Sequence, residues 1–398
     1  MVDLGPPSCV VAQVRPSRNL YWLVACALAV LTGLTIGFAQ VSDAAAESPL
    51  RRFDMHGGKQ PLPPIALPEL VQSLSAGECE SCHIAEAREW QESKHRQSWT
   101  SALFQEAYRI EPMPECRNCH QPLTAGKSVT AAVKQLRNEG INCAVCHVRN
   151  GSVLSPRRSG RAPHAVQAAP VMSESAFCGS CHQFNFPEHR ADSQVHHTNE
   201  PMQDTLREWE RLRSASTTTK SCQDCHMQWE GVGSQRHRSH RFFGGYDHSM
   251  LQKSVAVSAE SQVLPEAVEV RIQLSAQDTG HAVPTGDLYR CLVLVVSPVD
   301  GAGHEVAPAQ ERRLQRQFIS TVEADEQGRL RVQRRQVEDN RLMPGVPQDL
   351  LFRFPMRTQA VNYRLSLSRI PPGAAATDNN SISQITAGRV AITQGVGE

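Results

Sequence analysis

The stretch "CESCH" at residues 79–83 decides how this sequence is read, because its pattern returns four more times. The later copies are "CRNCH" at 116–120, "CAVCH" at 143–147, "CGSCH" at 178–182 and "CQDCH" at 222–226. Ten of the thirteen cysteines lie in these five copies. At the Cys and His frequencies of this chain, one copy is expected about 0.02 times by chance. The five copies are therefore one signal.

C-x-x-C-H is the attachment pattern of c-type haem: each cysteine sulfur forms a thioether bond with the haem, and the histidine lies where it can bind the iron. The predicted thioether residues are Cys79, Cys82, Cys116, Cys119, Cys143, Cys146, Cys178, Cys181, Cys222 and Cys225. The predicted proximal iron ligands are His83, His120, His147, His182 and His226. The pattern thus predicts five covalently attached c-type haems.

Three other cysteine chemistries fit the pattern less well. A thioredoxin-like redox site uses one C-x-x-C and needs no histidine behind it. A zinc site pairs two C-x-x-C units or adds histidines at other spacings. A disulfide framework, the ordinary expectation for an exported chain, predicts no fixed histidine offset. The constant position of the histidine favours haem attachment over all three.

The composition fits a chain whose core is completed by large apolar groups. Of the 398 residues, 40% are hydrophobic and only 5% are aromatic, which is a thin supply of core side chains for this length. Bound haems would each add a large flat apolar body. The formal net charge of +1 gives no basic excess of the kind that nucleic-acid binding requires. We therefore expect no nucleic-acid partner.

The N-terminal residues have the features of an export signal. An apolar run at 20–39 follows Arg15 and Arg18, and small residues follow it at 43–48. At 20 residues the run is also long enough to span a bilayer. We predict that residues 1–46 are either a cleaved signal peptide or a retained membrane anchor. The protein would then be periplasmic or on the outer face of the cytoplasmic membrane, where c-type haem is attached.

The haem motifs share one region of the chain. Residues 47–76 are rich in proline and are predicted to be a linker, whereas 77–254 hold all five motifs. With one motif about every 35 residues, no motif has enough chain to bury a separate core. We therefore expect the haems to lie close together in a domain of short helices and loops. The clearest helix is expected over 86–110, with His95 on it.

The composition changes after residue 254. Stretches such as "AVEVRIQL" at 267–274 and "VNYRLSL" at 361–367 alternate in the manner of half-buried strands. We expect an antiparallel β-sandwich of about seven strands over 255–372. Residues 373–398 are expected to be a tail, in which "GRVAIT" could add a last strand. The predicted fold class is α+β: a pentahaem domain followed by the sandwich.

The ligand on the second face of each iron decides the chemistry. A second histidine closes the site and leaves electron transfer, whereas an open face allows a substrate to bind. Eleven histidines lie outside the motifs. The candidate distal ligands are His95, His164, His240, His281 and His56. His281 is expected to reach a haem from the β region, since "GHAVPTG" predicts a sharply shaped loop.

Several stretches resemble the multihaem cytochromes c related to the tetrahaem electron acceptor of hydroxylamine oxidoreductase. They are "CESCHIAEAREWQESKH", "GINCAVCHV", "FCGSCHQF", "TLREW" with "CQDCHM", "SHRFFGG" and "GHAVPTGDLYR". The resemblance covers roughly 77–300. It implies closely stacked haems with mostly bis-histidine ligation, and it supports His95, His164, His240 and His281 as distal ligands. This chain would be a five-haem variant with a C-terminal β domain, so the family's haem pairs cannot be transferred motif by motif.

Three functions follow from these features. The first is an exported cytochrome that carries electrons between a membrane quinol-linked or periplasmic donor and another redox protein. The second is an enzyme that reduces or oxidises small nitrogen or sulfur species at one open haem, with "SQRHRSH" at 234–240 as the first place to look for acid–base groups. The third is an interaction or filament role through the β region. No motif is a C-x-x-C-K variant and no tyrosine lies beside a motif, which favours the first.

Overall fold

The computed structural model describes residues 67–68, 71–125, 130–149, 151–157, 162–188, 196–215, 220–324, 330–371 and 381–392. The predicted signal or anchor at 1–46, most of the predicted linker and His56 lie outside these residues. Within them, no helix is both long and apolar enough to cross a membrane.

The haem-motif region is built from short helices. They are α1 (Ala76–Glu80), α2 (Ile84–Glu92), α3 (Ala102–Ile110), α4 (Cys116–His120), α5 (Ala131–Asn138), α6 (Cys143–His147), α7 (Ser175–His182), α8 (Thr205–Ala215), α9 (Cys222–His226) and α10 (His248–Ser254). The second, third and fifth motifs each form one short helix, and the fourth ends α7. Side-chain caps help to begin these turns: the Asn142 side chain accepts the Ala144 N–H, and Ser221 forms a capping box with Asp224.

The single helix predicted over 86–110 is wrong, because the chain forms two helices with a turn between them. His95 lies in that turn, not on a helix. The Ser93 hydroxyl accepts the Arg96 N–H, and the His95 carbonyl accepts the Ile141 N–H. These bonds replace helical ones. Contacts distant in sequence thus decide where α2 ends.

Short strands connect the helices. They are β1 (Val148–Arg149), β2 (Ser152–Ser155), β3 (Val166–Ala168), β4 (Gln183–Glu188), β5 (His196–Asp204), β6 (Trp229–Glu230) and β7 (His237–Arg238). Strands β4 and β5 form an antiparallel hairpin, and so do β6 and β7. The second hairpin follows the fifth motif and leads directly to His240.

The C-terminal region consists of antiparallel sheets. Its strands are β8 (Val255–Val263), β9 (Val268–Ala276), β10 (Cys291–Val299), β11 (Gln310–Leu314), β12 (Arg316–Ala324), β13 (Leu330–Asp339), β14 (Gln348–Phe354), β15 (Ala360–Ser368) and β16 (Ile382–Ala391). One sheet has the order β11-β10-β15-β16 and the other β14-β9-β8, while β12 and β13 pair with each other.

The two larger sheets share one core, as the alternation of the sequence predicts. In β9, Val268, Val270, Ile272 and Leu274 are almost fully buried, with polar residues between them. Side chains of the other sheet, such as Leu292, belong to the same cluster. The predicted α+β fold class, with short helices followed by antiparallel strands, is confirmed.

The β region extends beyond the boundary expected at residue 372. Strand β16 pairs with β15 along its length, and Ile385 is buried in the shared core. An aliphatic side chain that closes one end of the core stabilises an edge strand, so the predicted tail contributes to the sheet. At the other boundary, α10 ends at Ser254 and β8 begins at Val255. All the described residues lie in one compact unit.

Candidate haem sites

A connected cavity of about 2280 Å³ runs through the haem-motif region. All five motif histidines line it, and so do His95, His164, His240 and His281. A site for one drug-sized ligand has a volume of about 300–1,000 Å³. The cavity is therefore large enough for several such groups, and the residues predicted to bind haem surround it.

Three candidate distal histidines face three motif histidines across this cavity. The distances between ring centres are 6.3 Å for His95 and His182, 6.2 Å for His147 and His240, and 6.2 Å for His226 and His281. The partners are 87, 93 and 55 residues apart, from 182 − 95, 240 − 147 and 281 − 226. Tertiary folding alone brings them together.

The separation is the one that an iron ion between two imidazoles requires. With each Nε2 about 2.0 Å from the metal and about 1.1 Å from its own ring centre, the ring centres lie about 6.2 Å apart. Each pair therefore fits an iron site closed on both faces.

Backbone carbonyls orient most of these rings. A carbonyl oxygen only accepts hydrogen bonds, so an Nδ1 that faces one carries the proton and leaves Nε2 free to bind a metal. Five of the rings have such a bond from Nδ1 to a backbone carbonyl oxygen. The distances are 2.8 Å from His120 to the Ser98 oxygen, 2.8 Å from His147 to that of Leu154, 2.8 Å from His240 to that of Arg238 and 2.9 Å from His281 to that of Ala282. His226 bonds in the same way to the carbonyl of Phe243.

Desolvation keeps the imidazoles of His95, His147, His182, His240 and His281 neutral. Loss of hydration lowers the pKa of His95 to about 3 and the pKa values of His147 and His182 to about 4. The pKa values of His240 and His281 are lowered for the same reason. Neutral imidazole is the form that binds a metal, so these side chains are ready to bind iron at neutral pH.

The second motif has a different environment. The Phe104 ring stacks on the His120 ring at 3.7 Å between centres, and Tyr108 stacks on Phe104. In the part of the chain that the structure describes, no histidine ring faces His120 as in the three pairs. The side chains of Asp287 and Tyr289 border the same part of the cavity. Sequence reasoning did not single out Phe104, because an aromatic residue on a short amphipathic helix is ordinarily a core residue.

Among the described residues, two other predicted ligands, His83 and His164, have no histidine ring facing them. His83 of the first motif is exposed. His164 lines the cavity, and its buried Nδ1 has no hydrogen-bond partner among the described atoms. The structure thus places His164 at the cavity without setting it opposite a motif histidine. His164 and His56 stay predictions.

The stretch 234–240 does not form a free acid–base cluster. His240 faces His147, while Nε2 of His237 lies 3.0 Å from a carboxylate oxygen of buried Glu89. The other oxygen of Glu89 accepts the His240 N–H at 2.8 Å. Glu89 therefore holds the segment that carries His240. It had no signal in the sequence, because glutamate on a surface helix is usually solvated.

Thiol contacts show which motifs are neighbours. Cysteine side chains of different motifs lie close together: Cys79 beside Cys143, Cys119 beside Cys181 and Cys178 beside Cys222. These contacts join the first motif to the third, the second to the fourth and the fourth to the fifth. The expectation that the attachment sites lie close together therefore agrees with the geometry.

The comparisons with known proteins point to the same chemistry. The family described as cytochrome c554 and c-prime matches residues 78–148, which include the first three motifs. A penta-heme cytochrome c552 from Thermochromatium tepidum is 18% identical, with a TM-score of 0.63, and the alignment covers 81% of this chain and 100% of that one. A structural-genomics target from Bordetella pertussis is 13% identical over 35% of this chain and 93% of its own, at a TM-score of 0.17.

No curated protein sequence matches the chain at a significant level. The likeness to the Thermochromatium protein shows that the two chains share a fold. The family match covers the segment that contains the first three haem-attachment motifs. Taken together, the family match and the shared fold support a multihaem cytochrome c with covalently bound c-type haem, an electron-transfer protein.

Proposed function

We propose that this protein is an exported cytochrome that binds five c-type haems and passes electrons through them between redox partners. The observation that carries the proposal is the set of three histidine pairs that line one cavity, each with ring centres 6.2 or 6.3 Å apart. The number of haems rests on the five motifs and on the fold shared with a protein described as penta-heme.

Closed iron sites favour electron transfer over catalysis. Haem iron with two histidine ligands supplies one-electron redox chemistry and has no position left for a substrate. In this chain the carbonyl bonds fix the Nδ1 proton of His147, His226, His240 and His281, so each ring keeps its orientation. The thiol contacts between motifs support short distances between neighbouring sites.

The partners are a membrane quinol-linked or other periplasmic donor and a second redox protein. The support is the apolar run at 20–39, which would direct the chain out of the cytoplasm and could also anchor it at the membrane. We place the protein in the periplasm or on the outer face of the cytoplasmic membrane. The motif stretches also support a relationship to the electron acceptor of hydroxylamine oxidoreductase.

A second candidate function is reduction or oxidation of small nitrogen or sulfur species at the second motif. It is favoured by one observation: no histidine ring of the described residues faces His120. Asp287 and Tyr289 lie nearby and could exchange protons with a bound substrate. This candidate needs an open iron, whereas the first function does not.

Two measurements on the matured protein test these functions. The intact mass should exceed that of the polypeptide by five haems, and a smaller excess would show that a motif is unused. Electron paramagnetic resonance of the oxidised protein counts high-spin iron. At least four low-spin haems, with any high-spin haem at the second motif, fit the proposal. High-spin iron at the third, fourth and fifth motifs together would contradict it.

A further inference from the structure

We propose that Glu208 is a positioning residue that holds His281 opposite His226. Glu208 belongs to α8, between the fourth and fifth motifs, whereas His281 belongs to a loop of the β region. The inference rests on the proposed ligation of iron by His281 and extends it. It assigns a role to a buried carboxylate that bonds to the backbone beside the ligand and not to the ligand's ring.

The Glu208 carboxylate binds the His281 loop on the C-terminal side of the ligand. Its Oε2 accepts the backbone N–H of Ala282 at 3.2 Å and the hydroxyl of Thr285 at 3.0 Å. The Thr285 hydroxyl also bonds to Thr205 at the start of α8, at 2.8 Å. Because Ala282 directly follows the ligand, the first bond fixes the peptide that carries the His281 ring.

A buried arginine holds the same loop from the β region. The Arg341 guanidinium lies 2.7 Å from Oε1 of Glu208 and donates to the carbonyl of Pro284 at 3.1 Å. It also pairs with Asp339 at 2.8 Å. The side chains of Glu208 and Arg341 are only 7% and 5% exposed. In such surroundings each charge depends on its partner, so loss of either disturbs the loop between them.

The loop also fits closely against α8. A Cβ atom on Gly280 would come within 2.9 Å of Cδ1 of Trp209, the residue after Glu208. Only glycine allows this approach. Gly280 on one side of His281 and Ala282 on the other are therefore both held by the same turn of α8. The geometry leaves the His281 ring little freedom, which a ligand that closes an iron site requires.

A competition assay separates positioning from general stabilisation. Added imidazole competes with His281 for the iron of the fifth motif, and its apparent affinity is proportional to the fraction of molecules in which His281 has moved away. For Glu208→Gln we expect this affinity to rise about tenfold, from an equal rise in the open fraction. Thr285→Val, which removes one bond to the carboxylate, should give a smaller rise. Equilibrium dialysis with isotope-labelled imidazole measures this binding, since the exchange of one imidazole ligand for another leaves the iron low-spin, and it should saturate at one equivalent per opened haem.

The matched control is Glu210→Gln, because Glu210 is exposed on the same helix and the substitution removes the same charge. It should leave imidazole affinity unchanged. Glu208→Asp, which keeps the charge, should restore part of the wild-type affinity. If Glu208→Gln does not mature, Thr285→Val and Glu208→Asp carry the test. Wild-type affinity in both would overturn the proposal.

His281→Ala distinguishes failure of this inference from failure of the proposed ligation. If His281→Ala opens one haem while Glu208→Gln binds imidazole as the wild type does, the positioning role is wrong and the ligation stands. If His281→Ala leaves the low-spin spectrum unchanged, the ligation is wrong and the positioning role falls with it. Equal rises for Glu208→Gln and Glu210→Gln would also overturn the role, since charge and not contact would then decide.

Discussion

Replacing Glu89 by glutamine should destabilise the folded protein and loosen the segment that carries His240. The Glu89 carboxylate is 6% exposed and accepts the His240 N–H at 2.8 Å and a bond from Nε2 of His237 at 3.0 Å. Glutamine keeps one acceptor oxygen but turns an NH₂ group toward the other donor. A hydrogen bond to a charged group contributes about 1.5–3 kcal/mol, and a buried donor left without a partner costs about 1–3 kcal/mol.

We therefore expect the apparent free energy of unfolding to fall by about 2–4 kcal/mol. Urea unfolding followed by haem absorbance and far-ultraviolet circular dichroism measures the loss. The control is Glu92→Gln on the same helix: Glu92 pairs with Arg241 at 3.3 Å, but its side chain is 61% exposed. That substitution should cost less than about 1 kcal/mol, because surface ion pairs contribute little.

The reasoning would be refuted by equal losses for Glu89→Gln and Glu92→Gln. It would also be refuted if Glu89→Gln unfolded at the wild-type urea concentration. A further readout comes from the spectrum: the haem of the third motif, whose proximal ligand is His147, should become partly high-spin in Glu89→Gln and stay low-spin in Glu92→Gln.

Three further predictions concern a ligand, the core and pH. His95→Ala should turn the haem of the fourth motif high-spin without loss of attached haem. The control His248→Ala, at an exposed histidine, should leave every haem as in the wild type. An electron paramagnetic resonance spectrum of His95→Ala with no new high-spin signal would show that His95 is not a ligand. Leu292→Ala in the sandwich core should lower the apparent unfolding free energy by about 2–5 kcal/mol, whereas Leu351→Ala on the surface should change it little, as thermal unfolding can check. Burial lowers the pKa of His237, but the Gln235 carbonyl and Glu89 outweigh it, so the net shift is upward from 6.5. Because its pKa is raised, the contribution of His237 to the free energy of unfolding is complete below about pH 6.5 and is lost as the pH rises through the folded-state pKa. The difference in unfolding free energy between the wild type and His237→Gln measures this contribution. A difference that grows as the pH rises would contradict the predicted sign.

Much of the haem chemistry could be read from the sequence because it is local. Two cysteines and a histidine within five residues lie on one turn of helix, so the attachment sites at 79–83 and its four repeats need no tertiary information. The strands were readable for a similar reason: alternation in β9 places Val270 and Ile272 on one face whatever the sheet packs against.

The distal partners could be suggested from the sequence, but not assigned to their motifs. Nothing in the sequence joins His95 to the fourth motif instead of the first, twelve residues before it. That pairing depends on the turn after α2, which forms because the His95 carbonyl bonds to Ile141. The absence of a facing histidine at His120, among the described residues, depends equally on packing, since Phe104 stacks there.

The sequence by itself determined where haem attaches and which residues alternate into the core, because both depend on neighbours within a few residues. Only the tertiary structure decided that β16 pairs with β15 along its length and that Glu208 meets Arg341 beside the His281 loop. Those outcomes depend on contacts between residues far apart in the chain. The sequence does not distinguish a buried glutamate from a solvated one, because the difference lies in the partner that folding brings next to the carboxylate.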